Sequence, residues 1–336
     1  MIRESIADLV EGREISGETA YETFMEIMSG ETSDAQIATF ITALRMRGET
    51  PEVIAGCARA MREKMTTVKT GAEVVVDVVG TGGDGANTFN ISTAAAIVAA
   101  ACGITVAKHG NYGVSSQCGS ADVLREAGVN IDISPTQMSE CLERVGLAFL
   151  FAPSLHPAMK YAVGPRREVG IRTVFNILGP LCNPANARYG LLGVYSAELV
   201  PVMAAAALEL GAKHLFVVHG NDGLDEITTT TTTLINEIKD GRIQSYEFDP
   251  RVLGIELCKP GDLVGGTPDE NTTTLYSILD LEVGPRHDIV CLNAAVAIVA
   301  ADAADSLKEG FEMAHNAIES ERARTKLHNL VNVTNS

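Results

Sequence analysis

The sequence predicts an α/β protein in which a small, all-helical N-terminal domain precedes a larger domain built on a central, largely parallel sheet. Residues 1–66 contain only helical patterns. From Val74 onward, β-rich apolar runs alternate with helical stretches, which is the pattern of βαβ crossovers. We therefore place a helical domain at 1–66 and an α/β domain at 67–336. The polar segment 155–175 carries Pro and Arg, and we expect it to be a hinge or a crossover to the helical domain.

Short helices are expected before the sheet, and apolar side chains recur in them at helical spacing. The first stripe consists of Ile2, Ile6, Leu9 and Val10. Cap and stop residues mark the helix ends, namely Ser16, Gly30, Ser33, Gln36, Gly48, Thr50 and Pro51. Helices this short bury little alone, so their apolar faces need the rest of the chain or a second subunit. We expect stripes such as Phe40, Ile41 and Leu44 to form a homodimer contact.

Several β-rich runs form the predicted sheet. The runs are 74–79, 105–108, 130–133, 148–151, 189–194 and 214–219, with helices near 91–101, 120–127, 135–145 and 198–210. Asp240–Gly241 between the runs 229–238 and 242–248 predicts a β-hairpin. The threonine run at 228–233 is β-prone, and we interpret it as the start of a strand rather than as low-complexity sequence. The Ala-rich region 290–320 is expected to be helical.

Composition narrows the class of protein. The chain has 336 residues and a formal net charge of −17, which disfavours nucleic-acid binding because phosphate neutralisation needs clustered Lys and Arg. No apolar run is long enough to span a bilayer, and Met1–Glu4 begins an amphipathic segment rather than a signal peptide. The cysteines form no C-x-x-C pair. Those in apolar patterns (Cys57, Cys102, Cys141 and Cys291) indicate buried free thiols and a cytoplasmic protein.

Two glycine-rich loops carry the clearest chemical signal. GTGGDG at 80–85 and KHGNYGVSSQCGS at 108–120 each follow an apolar run. Backbone N–H groups exposed by glycine, together with helix N-termini, bind phosphate oxygens. The first loop has no cation, and Lys108 at the start of the second is the expected donor.

The first loop also matches the dinucleotide fingerprint G-x-G-x-x-G, but its context does not fit. The helix starts only near Asn90, and 99–108 lacks the acid that would bind a ribose hydroxyl. We therefore disfavour a dinucleotide site. The chain also lacks the G-x-x-x-x-G-K-[ST] motif of P-loop NTPases.

Other polar residues stand at the ends of predicted elements. In Asn90–Thr93, the hydroxyls suit a phosphate or a Mg²⁺-bound oxygen, whereas Asn90 alone favours an ordinary helix cap. Asp225 and Glu226, in a Gly-rich loop after a strand, suit Mg²⁺, with a solvated turn as the alternative. The arginines of GPRREVGIRT at 164–173 suit a carboxylate or phosphate, with surface ion pairing as the alternative. His109 is a possible general base, but its position is more typical of a ligand contact or an orienting residue.

These residues together resemble the anthranilate phosphoribosyltransferase family. The resemblance covers nearly the whole chain and rests on GTGGD at 80–84, NIST at 90–93, KHGN at 108–111, GSADVL at 119–124, HPAMK at 156–160, RREVGIRTVFNILGPLCNPA at 166–185 and DGLDE at 222–226. It implies an N-terminal helical domain, a nucleoside-phosphorylase-like α/β domain and a homodimer. It also implies two small-molecule substrates, phosphoribosyl pyrophosphate and anthranilate.

The resemblance further implies which positions meet each ligand. Phosphoribosyl pyrophosphate would contact Gly80, Gly83, Asp84, Thr88, Asn90, Ile91, Ser92, Thr93, Lys108, Ser115, Ser116 and Ser120. Anthranilate would meet Gly80, His109, Asn111 and Arg166. Two Mg²⁺ ions would lie near Ser92, Asp225 and Glu226. The chain departs from the family where Tyr112–Gly113 replaces Arg-[Ser/Ala] and Gln117–Cys118 replaces Lys-Ser, so two positive charges are missing from the second loop.

The implied reaction belongs to tryptophan biosynthesis, with the amine of anthranilate displacing pyrophosphate at ribose C1. Because the transition state resembles an oxocarbenium ion, positioning and charge neutralisation dominate and no strong acid or base is required. One alternative is a pyrimidine nucleoside phosphorylase of the same fold, which would need neither pyrophosphate nor Mg²⁺. Another is a non-catalytic paralogue that binds nucleic acid, which the acidic composition and the retained DGLDE disfavour.

Overall fold

The computed structural model describes residues 1–113 and 117–336. The N-terminal part contains helices α1 to α4, which are Ile2–Val10, Gly17–Ser29, Asp34–Arg47 and Pro51–Lys64. The strands are β1 Val75–Gly80, β2 Thr105–Gly110, β3 Leu147–Phe151, β4 Tyr189–Gly193, β5 His214–Gly220, β6 Thr233–Lys239 and β7 Arg242–Phe248. The remaining helices are α5 Ile91–Ala101, α6 Ser120–Glu126, α7 Pro135–Arg144, α8 Ala152–Leu155, α9 Lys160–Val169, α10 Phe175–Leu178, α11 Leu199–Glu209, α12 Pro268–Leu279, α13 Pro285–Ala300, α14 Leu307–Glu319 and α15 Arg322–Thr334.

The predicted cap and stop residues of the N-terminal helices are confirmed. Ser33 accepts a hydrogen bond from the backbone N–H of Gln36, whose side chain accepts from the Ser33 N–H at 2.9 Å. Ser16 and Thr50 each accept from the N–H three residues later. Gly30 ends α2 with a left-handed φ of 75°.

The apolar stripe of α3 faces the interior of the protomer. Phe40, Ile41 and Leu44 are 0%, 0% and 1% exposed, in a core shared with α1, α2, α4 and α11. The prediction that these side chains form a homodimer contact is therefore wrong, because the chain itself covers them. Val10, which the sequence pattern assigned to the apolar stripe of α1, is not part of the core, since it is 70% exposed.

The sheet confirms the predicted α/β class. Its strand order is β3-β2-β1-β4-β5-β6-β7. The strands from β3 to β5 in this order are parallel, and β6 and β7 form an antiparallel extension. The predicted hairpin joins β6 and β7, with φ of 51° at Asp240 and 72° at Gly241. A tight two-residue hairpin turn of this type needs a positive φ at both of its central residues.

Two strand predictions are wrong. The run 130–133 lies between α6 and α7 outside the sheet, and its alternating pattern reflects Ile131 and Ile133 packing into the core. Of the threonine run, only Thr233 belongs to β6. The loop before it is tied by side chains, because the hydroxyls of Thr228 and Thr230 both donate to Asp222.

Two apolar cores cover the sheet. One includes α5 and α13 with strand residues such as Val78 and Val218, and the other includes α1–α4 and α11 with Leu192, Val217 and Ile238. Helix α9, within the segment 155–175, packs against α2 and α3. The helical part thus shares a core with one face of the sheet, and the division into domains at residue 66 stays a prediction. No helix among the described residues is long and apolar enough to cross a membrane.

The shared core gives a test of stability. Phe24 is fully buried in α2, with ring centroids 6.2 Å from Phe40 and 5.1 Å from Phe175. Phe24→Ala should lower the free energy of unfolding by about 3–5 kcal/mol, because it removes buried apolar surface and leaves a cavity. Glu22→Ala, at an exposed position of the same helix, should change it by less than about 0.5 kcal/mol. Urea unfolding followed by circular dichroism measures both, and equal effects would contradict the assigned packing.

Candidate active site

Strands β1 and β2 separate before their carboxyl ends. Their ladder pairs Val75 with Thr105 and Val76 with Val106. In contrast, the ladders between β1 and β4 and between β2 and β3 continue to the last residues of β1 and β2. The separation leaves backbone groups of both strands that need other partners.

Three polar side chains supply these partners. Asp77 Oδ1 accepts from the backbone N–H of His109 at 3.1 Å, and Asp77 Oδ2 accepts from Asn183 Nδ2 at 2.7 Å. Asn183 Nδ2 also donates to a β2 carbonyl at 2.8 Å, and Lys108 Nζ donates to a β1 carbonyl at 2.7 Å. Burial raises the pKa of Asp77 to about 6, an effect that the positive charge of Lys108 opposes. These contacts give the buried polar groups hydrogen-bond partners where the two strands separate.

The loop after β5 crosses the carboxyl ends of β1 and β4, where the strand order reverses. A β-carbon at Gly80 would lie 2.3 Å from Asp225 Oδ2, and one at Gly193 would lie 1.6 Å from the Asp225 carbonyl oxygen. At Gly193 the obstacle is backbone, so only glycine fits there, whereas a side chain at position 80 would have to displace the Asp225 carboxylate. Ligands of open α/β sheets bind at such a reversal of strand order.

The acidic pair contacts both the first glycine-rich loop and the start of α5. Asp225 Oδ2 accepts from the N–H of Gly82 at 2.7 Å, and Glu226 Oε1 accepts from the N–H of Ser92 at 3.1 Å. Desolvation and the charge of Asp84 raise the pKa of Asp225 to about 6. Desolvation and the charge of Asp225 raise the pKa of Glu226 well above its usual value. A cation bound here would favour the ionised form of both carboxyl groups.

The residues of this region fit a magnesium ion that is shared with a substrate. The structure, where described, contains no group of three or more His, Cys, Asp or Glu side chains arranged to hold a metal. Mg²⁺ is usually bound by one or two carboxylates together with substrate phosphates and water. Asp225, Glu226 and the neighbouring Ser92 hydroxyl match this donor set.

Lys108 lies inside β2 and faces the acidic pair rather than the second loop. Its Nζ donates to Ser92 Oγ at 3.2 Å, in addition to its backbone contact with β1. Burial lowers the pKa of Lys108, while Asp77, Glu226 and Asp225 oppose that shift. A buried ammonium next to the N-terminus of α5 is a suitable partner for a phosphate.

The NIST segment behaves differently from an ordinary helix cap. The Asn90 side chain does not cap α5; its Nδ2 donates to the Cys118 carbonyl at 3.1 Å, and its Oδ1 accepts from Asn271 Nδ2 at 2.9 Å. Asn90 is therefore the N-cap residue by position, since its carbonyl accepts from the N–H groups of Thr93 and Ala94 at 3.1 Å, but the side-chain cap of an ordinary N-cap is absent. Ile91 and Thr93 are buried, and Thr93 Oγ1 has no hydrogen-bond partner in the described part of the chain.

The second loop closes on the start of α6. The Asn111 carbonyl accepts from Ser120 Oγ at 3.2 Å, and a β-carbon at Gly119 would lie 2.2 Å from the Gly113 nitrogen. Tyr112, one of the departures from the family pattern, packs on Phe151 with ring centroids 5.1 Å apart. The predicted contacts Ser115 and Ser116 lie outside the described residues.

The other positions predicted to contact phosphoribosyl pyrophosphate lie in the first loop or shortly after it. Gly82 and Gly83 have φ of 66° and 76°, which L side chains rarely adopt. Asp84 Oδ1 accepts from the Ala86 N–H at 3.2 Å, which shapes the turn. Thr88 forms an isolated antiparallel bridge with Val264.

His109 is held as a neutral imidazole. Its Nδ1 lies 3.2 Å from the Gly179 carbonyl oxygen, and its Nε2 lies 3.2 Å from His156 Nε2. Burial, followed by the effect of His156, lowers the pKa of His109 to about 3. Since both ring nitrogens are engaged, His109 is better suited to orient a ligand than to accept a proton. Desolvation lowers the pKa of His156 to about 4, and its side chain does not cap the following turn.

Arg166 packs against an aromatic ring of the following segment. Its guanidinium carbon is 5.2 Å from the Phe175 ring centroid, and burial lowers its pKa. Among the described residues, no hydrogen bond or ring contact joins Arg166 to His109 or Asn111. Arg167 is exposed, and in the described part of the chain it forms no side-chain hydrogen bond, ion pair or ring contact.

Sequence reasoning missed Asp77, Asn183 and Asn271, although each organises the site. Asp77 had a detectable signal, because a lone acid inside the apolar run VVVDVVG at 74–80 is unusual for a buried strand. Asn183 and Asn271 had no such signal in the sequence, since their hydrogen-bond partners are remote in the chain.

The buried acidic pair predicts a specific dependence of stability on pH. When folding raises the pKa of a carboxyl group, ionisation of that group destabilises the folded state. This destabilisation grows as the pH rises from the pKa of the group in the unfolded chain, about 4, through its pKa in the folded chain. In EDTA, Asp225→Asn/Glu226→Gln should therefore melt at a higher temperature than the unaltered chain at pH 8. The difference should shrink as pH falls through 6 toward 4. Scanning calorimetry measures it, with Glu319→Gln as an exposed control; a stabilisation that does not change with pH would contradict the burial of these charges.

Comparison with known proteins identifies the family. Residues 3–65 match the model described as glycosyl transferase family, helical bundle domain, and residues 72–324 match its a/b domain. Anthranilate phosphoribosyltransferase of Acetivibrio thermocellus is 49% identical over 336 residues, covering 100% of this chain and 97% of that protein.

Solved structures agree with this assignment. The Thermus thermophilus anthranilate phosphoribosyltransferase has a TM-score of 0.94 at 40% identity, covering 99% of both chains. The Saccharomyces cerevisiae enzyme, solved in complex with PRPP and Mg, has a TM-score of 0.92 at 28% identity, covering 99% of this chain and 98% of that one. The same yeast enzyme in complex with 4-fluoroanthranilate has a TM-score of 0.90, covering 99% and 97%. The chain therefore belongs to the anthranilate phosphoribosyltransferase family.

Proposed function

We propose that this protein transfers the phosphoribosyl group of phosphoribosyl pyrophosphate to the amine of anthranilate and releases pyrophosphate, a step of tryptophan biosynthesis. The observation that carries the proposal is the meeting of the GTGGD loop, Lys108 and the Asp225–Glu226 pair at the point where the strand order reverses. This combination provides N–H donors, one buried cation and two metal-binding carboxylates. A pyrophosphate ester with Mg²⁺ needs all three.

The phosphate side of the reaction is assigned to the first loop and α5. Backbone N–H groups near Gly83, Asp84 and Thr88 would bind phosphate oxygens, with Asn90, Ile91, Ser92 and Thr93 at the N-terminus of α5. The unpartnered hydroxyl of Thr93 supports this assignment. From the second loop we assign Ser115, Ser116 and Ser120.

Two Mg²⁺ ions are proposed, held by Ser92, Asp225 and Glu226. When bound, Mg²⁺ neutralises charge on the departing pyrophosphate. Lys108 contributes a fixed positive charge on the same side of the site, and it holds the Ser92 hydroxyl in place.

Anthranilate is assigned to Gly80, His109, Asn111 and Arg166. The guanidinium of Arg166 would anchor the carboxylate by a charge-assisted contact. Neutral His109 would orient the ring system. Because the aromatic amine is already a nucleophile, positioning next to ribose C1 is the main requirement.

The oligomeric state and location are also proposals. Since the stripe of α3 is buried, a homodimer would need other side chains of the helical part. The exposed apolar candidates are Val10, Met46 and Val163, which are 70%, 82% and 54% exposed on α1, α3 and α9. Free thiols at Cys57, Cys102, Cys141 and Cys291 support a cytoplasmic location.

We expect Met46→Glu to weaken the dimer, because it places a charge in an apolar contact. Light scattering at micromolar concentration should give a dimer for the unaltered chain and a shift toward monomer for the variant. A monomeric unaltered chain would contradict the proposal.

The proposed reaction has a direct test that separates it from the alternatives. Anthranilate fluorescence should decay only when phosphoribosyl pyrophosphate and Mg²⁺ are both present. Asp225→Asn/Glu226→Gln should lose nearly all of this turnover because it removes the metal-binding charges. Phosphorolysis of uridine or thymidine without Mg²⁺ would instead identify a nucleoside phosphorylase. Full activity in EDTA would contradict the metal assignment.

Arg166→Ala should raise the KM for anthranilate by about ten- to a hundredfold, since a charge-assisted contact is worth about 1.5–3 kcal/mol. The KM for phosphoribosyl pyrophosphate should change much less. Arg167→Ala is the matched control, one residue along the same helix and exposed. If only the KM for phosphoribosyl pyrophosphate moves, Arg166 belongs to the other half of the site.

A further inference from the structure

Arg172 brings a positive charge to a loop that has none of its own. Residues 80–85 contain no Lys or Arg. Arg172 lies just after α9, which ends at Gly170 with a left-handed φ of 66°. From there its exposed side chain reaches across to the first glycine-rich loop, where Nη2 donates to the Gly83 carbonyl oxygen.

The guanidinium also contacts an aromatic ring. Its central carbon lies over the Tyr195 ring, 4.2 Å from the ring centroid, in a cation–π contact. Tyr195 follows β4 and is joined to the same loop, because its backbone N–H donates to Thr81 Oγ1 at 3.1 Å. Burial raises the pKa of Tyr195, so its ring is a neutral phenol. Arg172 and Tyr195 thus form one unit that contacts the loop at Thr81 and at Gly83.

These two contacts flank the residue that meets the acidic pair. Gly82 stands between Thr81 and Gly83, and its N–H donates to Asp225 at 2.7 Å. Gly82 and Gly83 both have positive φ, and glycine has no side chain to restrict its own backbone. The conformation of this turn therefore depends on contacts from outside, and Arg172 supplies one of them.

We propose that Arg172 is a positioning residue that holds the Gly82–Gly83 turn in the conformation that binds phosphoribosyl pyrophosphate. The proposal rests on the function proposed above. Without the guanidinium, the turn samples other backbone conformations. The substrate must then order the turn when it binds, and the entropy lost in doing so lowers its affinity. Arg172 has no part in the bond-breaking step, so its loss affects binding much more than turnover.

The test is a KM-against-kcat comparison on the full chain. Arg172→Ala should raise the KM for phosphoribosyl pyrophosphate about tenfold, and kcat and the KM for anthranilate should stay within about twofold. Tyr195→Ala should give a similar change, and the double variant should be no worse than either single variant, because the two side chains act as one unit. Arg172→Lys keeps a positively charged donor but loses the planar guanidinium, so its affinity should lie between those of the unaltered chain and Arg172→Ala.

Arg324→Ala serves as the matched control. Arg324 is a partly exposed arginine of α15 whose guanidinium carbon lies 4.8 Å from the Tyr276 ring centroid and which pairs with Asp280. Removing it deletes the same kind of contact on α15, and the kinetic constants should not change. Melting temperatures of all variants show whether a change in KM arises from general destabilisation.

The outcomes separate this inference from the proposed function. If the unaltered chain does not consume anthranilate, the proposed function fails and the inference falls with it. If the unaltered chain is active and Arg172→Ala has its normal KM for phosphoribosyl pyrophosphate, the inference alone is overturned. Additive losses in the double variant, or a loss confined to kcat, would also overturn it, because Arg172 would then act on the substrate independently of Tyr195.

Discussion

The proposed site depends on the close approach of one loop to the ends of two strands. The backbone of Asp225 passes so near β4 that a β-carbon at Gly193 would lie 1.6 Å from its carbonyl oxygen. This approach lets Asp225 accept from Gly82 and places Glu226 at the start of α5. The acidic pair, the first glycine-rich loop and a helix N-terminus are thereby fixed relative to one another, which is what a metal-bridged pyrophosphate requires.

Buried polar contacts keep this arrangement in place from both sides. Behind the acidic loop, the fully buried Asn293 accepts from the Ile227 N–H at 3.0 Å and donates to its carbonyl at 2.9 Å. On the other side, Asp77 and Asn183 satisfy the strands that open beside Lys108. A buried polar group left without a partner costs about 1–3 kcal/mol, so each of these side chains specifies the local geometry more than it adds stability.

Short-range patterns in the sequence predicted the caps of the N-terminal helices, the β6–β7 hairpin, the glycine-rich loops and the acidic pair Asp225–Glu226 after β5. Each of these features depends on residues that are neighbours in the sequence. Contacts between segments that are distant in the sequence could not be predicted from such patterns. The spacing of Phe40 shows that a helix face is apolar, but it does not show that the same chain covers that face. The run 130–133 alternates like a strand because a loop packs into the core. The partners of Asp77 and Gly83 come from segments about a hundred residues away.

The most direct test of this account is the affinity for phosphoribosyl pyrophosphate with Mg²⁺, measured by titration calorimetry on Gly193→Ala. The added methyl group must displace the acidic loop, so binding should weaken at least about tenfold, whereas Gly71→Ala, with open space around it, should bind normally. If Gly193→Ala does not fold, Gly80→Ala displaces only the Asp225 carboxylate and gives the same comparison. Unchanged affinity in a folded variant would show that substrate binding does not depend on the position of this loop.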